Sequence, residues 1–290
     1  LKALGALPLS VVCWDSNILH MEIFLGIDRG TSFTKFVIFT SSNEVIYAKH
    51  LLSRNWNEIF PVYSTLMKDF NPAGVLFTGS VKGMPEEMRK STDIVNEIEA
   101  IGFGGAFVGK KSRCLVVSMG TGTAVVKFDS GAVEHVSGTG VGGGTVVGLA
   151  RLLIGESDIK SLERVSLTGS PRALNLTLSE AGFEQVGFLS GDLTVSNFGS
   201  VKSFKREDIG AAIYSLVGEV VGVIASLSAR ISHFDEEIVV IGGLSKSEVI
   251  RGVLKQVGKL YESKFLFPEN PEYATAIGAV RSFLKKRLHN

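Results

Sequence analysis

Between Met21 and Leu52 the chain runs through three apolar-rich segments, EIFLGIDRG, TKFVIFTSS and EVIYAKHLL, broken by Gly/Thr and Ser-Asn turns. Short runs bounded by turn residues predict three strands. WNEIFPVYSTLMKDF then has helical spacing, interrupted by Pro61, and AGVLFTG predicts a buried strand. PEEMRKS opens with Pro85 at a plausible first helical position. From Arg113 the pattern restarts: RCLVVSMG, TAVVKFDSG and AVEHVSG predict strands with tight turns. GTVVGLARLLIG predicts a helix with Leu149, Leu152 and Leu153 along one face. The longest periodic segment is REDIGAAIYSLVGEVVGVIASLSARIS, where Ile209, Ala212, Ile213, Leu216, Val217, Val220, Ile224 and Leu227 recur at helical intervals. It is too apolar for an ordinary surface helix, so it is expected to be buried or to form an oligomer interface. The strand EIVVIGGLS, the helix SEVIRGVLKQVGKLYES, the strand KFLFPEN and the helix PEYATAIGAVRSFLKKRL complete the chain.

The restart is a repeat. GIDRGTSFTKFVIF and SMGTGTAVVKF share one grammar: a strand, a Gly-containing turn, and a second strand ending near Lys-Phe. Two such βββ-led halves predict an internally duplicated α/β fold. The 290 residues, 45% hydrophobic, are enough for a substantial core in two lobes.

Charge narrows the function classes. Lys plus Arg (30) nearly balance Asp plus Glu (29), for a formal net charge of +1, so no basic excess points to nucleic acid. Two cysteines, Cys13 and Cys114, fit no metal or redox spacing, which suits a reduced, cytoplasmic protein. The first twenty residues, LKALGALPLSVVCWDSNILH, lack a clean signal-cleavage pattern; Met21 is the expected functional start, with residues 1–20 an upstream extension. No other segment has enough uninterrupted apolar residues to predict a membrane span.

Glycine marks the candidate chemistry. Three glycine turns follow strands: Asp28–Lys35 (DRGTSFTK), Ser118–Thr123 (SMGTGT) and Ile241–Ser245 (IGGLS). Gly138, Gly140, Gly142, Gly143 and Gly144 crowd a further loop that opens a helix. Exposed amides in such turns can cradle phosphate oxygens, and Ser or Thr hydroxyls add donors. None matches G-x-x-x-x-G-K-[ST] or a clean G-x-G-x-x-G, and each alone is more often simply a tight turn. Glu97 and Glu99 in NEIEA are candidate acid–base carboxylates; if the segment is a strand, alternation puts both on one face.

Asp28-x-Gly30-x-Ser32-x-x-Lys35 resembles the first phosphate motif of the actin, hexokinase and Hsp70 superfamily, SMGTGT the second, and IVVIGGLS the adenosine motif. The closer resemblance is to type II pantothenate kinases. It is carried by NEIEA (Asn96–Ala100), VSMGTGTAVVKF (Val117–Phe128), VSGTGVGGGTVVGLARLLIG (Val136–Gly155), GDLTVSNFG (Gly191–Gly199), VGEVVGVIA (Val217–Ala225) and AIGAV (Ala276–Val280). The resemblance implies a duplicated ribonuclease H-like, actin-like ATPase fold of two lobes with mixed βββαβ sheets. It implies lobes at 21–110 and 111–272, with a closing helix at 273–290 that packs back on the first. It also implies ATP and Mg²⁺ as cofactors, a homodimer built on the Arg206–Ser232 helix, and pantothenate or a pantoyl-like alcohol as acceptor.

Roles carry over by resemblance where residues match. Asp28 would hold Mg²⁺ through water, and Gly30, Ser32 and Lys35 would meet phosphate. Gly120, Thr121, Gly122 and Thr123 would take the other side of the triphosphate. Gly142, Gly143 and Gly144 would aim a helix N-terminus at the nucleotide, and Gly242 and Gly243 would lie under the adenosine. Glu97 falls at the family's catalytic carboxylate; Thr121, His135 and Gly138 fall at the acceptor.

Two positions depart from the family. His135 stands where the family has the arginine that pairs with the pantothenate carboxylate, and Ala124 where it usually has serine. Neutral histidine cannot reproduce the bidentate fork of arginine. The alternatives are a kinase for a different small alcohol and a catalytically lapsed nucleotide-binding regulator. Dehydratase-activating ATPases share the superfamily fold but use a cysteine-ligated cluster, for which Cys13 and Cys114 are poorly placed.

Overall fold

The computed structural model describes residues 21–186, 189–234 and 237–288. The expected extension at 1–20, with Cys13, lies outside the described residues. The first half contains β1 (Ile23–Arg29), β2 (Thr34–Thr40), β3 (Val45–Leu51), α1 (Trp56–Phe70), β4 (Gly74–Gly79), α2 (Glu86–Lys90), β5 (Asp93–Ile94) and α3 (Glu97–Gly109). Next come β6 (Arg113–Met119), β7 (Thr123–Asp129), β8 (Ala132–Thr139), α4 (Gly143–Ile154) and α5 (Ile159–Ser166). Four short strands follow: β9 (Leu176–Thr177), β10 (Gln185–Val186), β11 (Leu189–Ser190) and β12 (Thr194–Ser196). The chain continues through α6 (Arg206–Ile231), β13 (Glu237–Ile241), α7 (Glu248–Tyr261), β14 (Lys264–Leu266) and α8 (Ala274–Arg287).

The repeat reappears as topology. One sheet has the order β3-β2-β1-β4-β5 and the other, read from its far edge, β8-β7-β6-β13-β14. In the first, β1–β2 and β2–β3 are antiparallel while β1–β4 and β4–β5 are parallel. Two mixed sheets of one strand order establish the duplicated α/β fold that the sequence predicted. By internal contacts the chain falls into two units. Of the described residues, one holds those up to Arg113, with Val126–Glu134 and those from Glu269; the other holds those of Cys114–Val125 and His135–Pro268.

In the first unit β1 is buried on both faces. Leu25 and Ile27 join Phe36, Ile38, Val75 and Phe77 under α1. Phe24 joins Val37, Phe39 and Leu76 against Ala100 of α3 and Ala276, Ile277 and Val280 of α8. α1 continues through Pro61, which can give no N–H to the carbonyl one turn earlier. Ile59, Tyr63, Leu66 and Phe70, spaced i, i+4, i+7 and i+11, bury a face large enough to hold it helical.

The contact between α3 and α8 is made by backbone. A methyl on Gly104 would collide with the carbonyl oxygen of Ala274, and one on Gly278 with that of Ala100. Gly26 of β1 meets the carbonyl of Ala276 in the same way. Glu99 fastens the crossing, accepting from Ser282 Oγ at 2.9 Å and from Lys286 Nζ at 2.7 Å.

In the second unit α6 runs through the core, packing Ile213, Tyr214, Val217, Val221 and Ala225 against Leu115 and Val117 of β6 and Val240 of β13. It is long and apolar enough to cross a membrane by length and composition, but 67% of its most apolar stretch is buried inside the protein, as in a core helix. Its outward stripe stays apolar: Leu216, Val220 and Val223 are half-buried, and Leu227 and Ile231 are exposed. On α4 the leucine face expected from the sequence is the outer one: Val146 and Ala150 set the phase of the buried face, which leaves Leu149 half-buried and turns Leu152 and Leu153 outward, 80% and 51% exposed.

Gly278→Ala is expected to cost about 1–3 kcal/mol in urea unfolding, because the Ala100 carbonyl on which it impinges is backbone and cannot swing away. Gly252→Ala, in an open part of α7, should instead gain about 0.5–1 kcal/mol.

Candidate active site

In the first unit the site begins where β1 ends. Asp28 and Lys35 are register partners across the β1–β2 hairpin, so their side chains emerge on the same face of the sheet. Lys35 Nζ donates to Asp28 Oδ2 at 2.9 Å, and Asp28 is only 4% exposed. The ammonium also lies over the turn, 3.2 Å from where a Cβ on Gly30 would stand. The Gly30 N–H closes the turn on the Phe33 carbonyl at 3.0 Å, and Ser32 is exposed at its tip. On the opposite face, buried Arg29 donates to the carbonyls of Arg54 and Ser80 and stacks 4.4 Å from the Trp56 ring. Burial, then the charge of Arg54, holds its pKa below the ordinary value. Nothing in the sequence marked Arg29, yet it ties the segments at Arg54 and Ser80 to the end of the phosphate-turn strand.

NEIEA is not a strand. Asn96 caps α3, its Oδ1 accepting from the N–H groups of Ile98 at 2.9 Å and Glu99 at 3.3 Å. Asn followed three residues later by Glu is a helix-start signature that could have shown this. Two residues apart on a helix is about 200° around the axis, so Glu97 and Glu99 diverge instead of sharing a face. Glu99 goes to Ser282 and Lys286, and its carboxyl is held below the usual range, chiefly by the Lys286 hydrogen bond. Glu97 lies close enough to Asp28 and Lys35 to feel both charges. Its area is largely exposed, yet enough protein surrounds it that desolvation is the first cause raising its pKa. The negative charge of Asp28 raises it further and Lys35 opposes both. Three predicted residues, Asp28, Lys35 and Glu97, thus lie within electrostatic reach of one another, and of the two glutamates in NEIEA it is Glu97 whose carboxyl holds its proton more tightly than usual.

In the second unit the two glycine loops interlock. Gly143 N–H donates to Gly120 O at 2.8 Å and Gly144 N–H to Thr121 O at 2.9 Å. Thr123 Oγ1 donates to Val141 O at 2.8 Å, and Gly142 N–H to Thr145 Oγ1 at 3.2 Å. A Cβ on Gly142 would meet the carbonyls of Thr121 and Gly122 at 2.8 Å, and one on Gly138 the Thr123 carbonyl, also at 2.8 Å. The bare backbone here lets two turns lie on each other. The amides of Gly142, Gly143 and Gly144, expected to face a nucleotide, are bonded within this pair. Gly242, at φ +92°, closes against the backbone of Met119 at the end of β6, and Gly243 borders open space. His135 is exposed on β8, its Nε2 lying 3.6 Å from where a Gly138 Cβ would stand, so these two predicted acceptor residues adjoin.

Among the described residues no three His, Cys, Asp or Glu gather as a metal cage. Asp28, a single buried carboxylate at the end of β1, fits a magnesium ion arriving with phosphate oxygens, since Mg²⁺ uses one or two carboxylates and keeps much of its water. Cys114 is buried in β6.

Residues 111–282 match the Fumble family. The chain belongs to the Fumble family, that of the type II pantothenate kinases. Its relatives include the type II pantothenate kinase of Bacillus thuringiensis subsp. konkukian, 25% identical over 279 residues, which cover 92% of this chain and 100% of that one. The Bacillus anthracis enzyme of the same name is 26% identical over 90% of this chain and 97% of its own. Solved structures agree on the actin-like ATPase fold. The activator of 2-hydroxyisocaproyl-CoA dehydratase from Clostridium difficile, with bound ADPNP, superposes at a TM-score of 0.63 with 16% identity, covering 92% of this chain and 96% of that one. A ROK family glucokinase from Streptomyces griseus, in complex with glucose and AMPPNP, gives 0.59 with 11% identity, covering 89% and 97%. At such identities the likeness is of fold alone.

For this Fumble-family chain, carbon-detected NMR titration is expected to place the Glu97 carboxyl above the ordinary 4.5. Asp28→Asn removes a negative neighbour and should lower that value; Lys35→Met removes a positive one and should raise it. Shifts of the opposite sign would show that Glu97 does not face this pair.

Proposed function

We propose that the chain is an ATP- and Mg²⁺-dependent kinase that phosphorylates the hydroxyl of pantothenate or a related pantoyl alcohol, working in the cytoplasm. The observation carrying this reading is the buried Asp28–Lys35 pair at the Gly30 turn, whose charges Glu97 feels. Family membership supports it.

On this reading Glu97 takes the proton of the acceptor hydroxyl as its oxygen attacks the γ-phosphorus. The bond from that phosphorus to the bridging oxygen of ADP breaks, and ADP leaves with the electron pair. Asp28 would hold the metal through water; when bound, Mg²⁺ offsets charge on the β- and γ-phosphates. Lys35 and the Gly30–Ser32 turn meet phosphate oxygens. Gly120–Thr123 contribute a second phosphate surface, held in place by the Gly142–Gly144 amides bonded behind them, and Gly242 and Gly243 lie under adenosine. Little covalent work falls to the protein, because phosphoryl transfer depends mainly on positioning and charge stabilisation. His135, Gly138 and Thr121 border the acceptor. An exposed imidazole in place of a guanidinium favours a second reading of the substrate, an alcohol without the pantothenate carboxylate, such as pantetheine.

Glu97→Gln is expected to cut turnover roughly 10²- to 10⁴-fold while nucleotide binding persists. The working base is the deprotonated carboxylate, so wild-type turnover should fall as pH drops through the Glu97 pKa. That limb should lie above the ordinary carboxylate value and vanish in Glu97→Gln. A coupled ATP-turnover screen of pantothenate, pantetheine and other small alcohols, repeated with His135→Arg, tests the acceptor. A gain on pantothenate in His135→Arg supports the assignment of the pocket; no change removes His135 from it.

The homodimer is proposed on α6, whose outward stripe from Leu216 to Ile231 is apolar along its length. Leu227→Glu with Ile231→Glu should give a monomer in sedimentation, whereas an unchanged mass would move the interface elsewhere.

A further inference from the structure

Several side-chain oxygens are buried without a hydrogen-bond partner, and Thr78 Oγ1 is one of them, on a residue that is 0% exposed. A hydroxyl kept from water without a bond is costly and calls for a reason. Thr78 is set apart by its place. In β4 it is the register partner of Asp28 across the parallel β1–β4 pair. Leu76, two residues earlier, packs with Phe24 and Val37 on the α3–α8 face of the sheet, so alternation puts Thr78 on the face that carries Asp28 and Lys35. Thr78, Asp28 and Lys35 therefore form one row across β4, β1 and β2. Beyond Thr78 the chain passes from β5, paired to β4 and extended by the Val95 N–H to Phe77 O bond, into Asn96 and Glu97.

In this row Asp28 is held by Lys35 through Oδ2. The function proposed above, on which this inference rests, requires Lys35 to turn to phosphate and so to leave Asp28. A buried carboxylate that loses its donor must find another. We propose that Thr78 is the positioning residue that takes over Asp28. Its hydroxyl is unpaired while Lys35 holds the carboxylate, and donates to it, by rotation about χ1, once the ammonium has moved away. The unpaired state of the free protein is then one half of an exchange of donors, and Asp28 keeps its orientation in both halves.

A double-mutant cycle tests the exchange without any ligand. In the wild-type background Thr78→Val removes an unbonded hydroxyl and should leave urea stability unchanged or raised. In the Lys35→Met background the same substitution removes the substitute donor of Asp28 and should lower stability. Additive effects would overturn the proposal, as would a loss of stability from Thr78→Val alone. Binding of Mn²⁺ with ADP, followed by the electron paramagnetic resonance signal of free Mn²⁺, gives a second readout. Thr78→Val should weaken it roughly ten- to a hundredfold, the range for a bond to a charged group. ADP binding in EDTA should stay unchanged, and Thr78→Ser should restore the metal-dependent binding. If wild type and Thr78→Val bind Mn²⁺–ADP equally well, this inference fails and the kinase reading stands. If wild type binds neither Mn²⁺–ADP nor ADP, the kinase reading fails, and the proposed role of Thr78 fails with it.

Discussion

One face of the first unit's sheet depends on the close crossing of α8 over α3 and β1. Gly104, Gly278 and Gly26 bring three stretches of backbone into direct contact with carbonyl oxygens, leaving no side chain between them to flex. The Glu99 bonds to Ser282 and Lys286 close the same crossing at the start of α3. The position of the first turn of α3 follows from this, and with it that of Glu97, the first residue of the helix. A longer spacing at any of these glycines would tilt α3 and carry Glu97 away from Asp28.

The charges at that end of the sheet offset one another in steps. Asp28 is nearly inaccessible and is balanced by Lys35. Glu97 feels both, together with its own desolvation, and its affinity for a proton rises as a result. The N-terminus of α3 favours the ionised form of Glu97 and so acts with Lys35 against the desolvation and the Asp28 charge that raise its pKa. Arg29 on the opposite face carries no carboxylate among its bonds and is held by backbone carbonyls and the Trp56 ring. The Asp28–Lys35 pair is therefore kept on the opposite face of β1 from the cation that braces the neighbouring loops.

Most of the architecture was legible because buried strands leave dense apolar runs, and because the two halves repeat one turn grammar around Asp28–Lys35 and Ser118–Thr123. Asp28, Lys35 and Glu97 could be chosen from spacing and resemblance together. In NEIEA the sequence leaves strand and helix start open, and it is the cap at Asn96 that decides for the helix and separates Glu97 from Glu99. Leu152 and Leu153 face outward because the phase of α4 is fixed by Val146 and Ala150 against the core, which local periodicity leaves open. The glycines at 142–144 were read as room for a ligand, whereas part of their need is internal: they let one turn lie on another. Thr78 and Arg29 carried no signal, since their significance depends on cross-strand register and on partners far along the chain.

The crossing of α8 also sets an order of events during synthesis. β1, β2 and β4 are made early, yet the face formed by Phe24, Val37 and Leu76 is covered by residues of α8, which follow the whole of the second unit. As the chain leaves the ribosome, that apolar face waits for its cover while the second unit is being made. The first unit is thus completed last, although its strands are the first to emerge, and Glu97 gains its final surroundings only when α8 arrives.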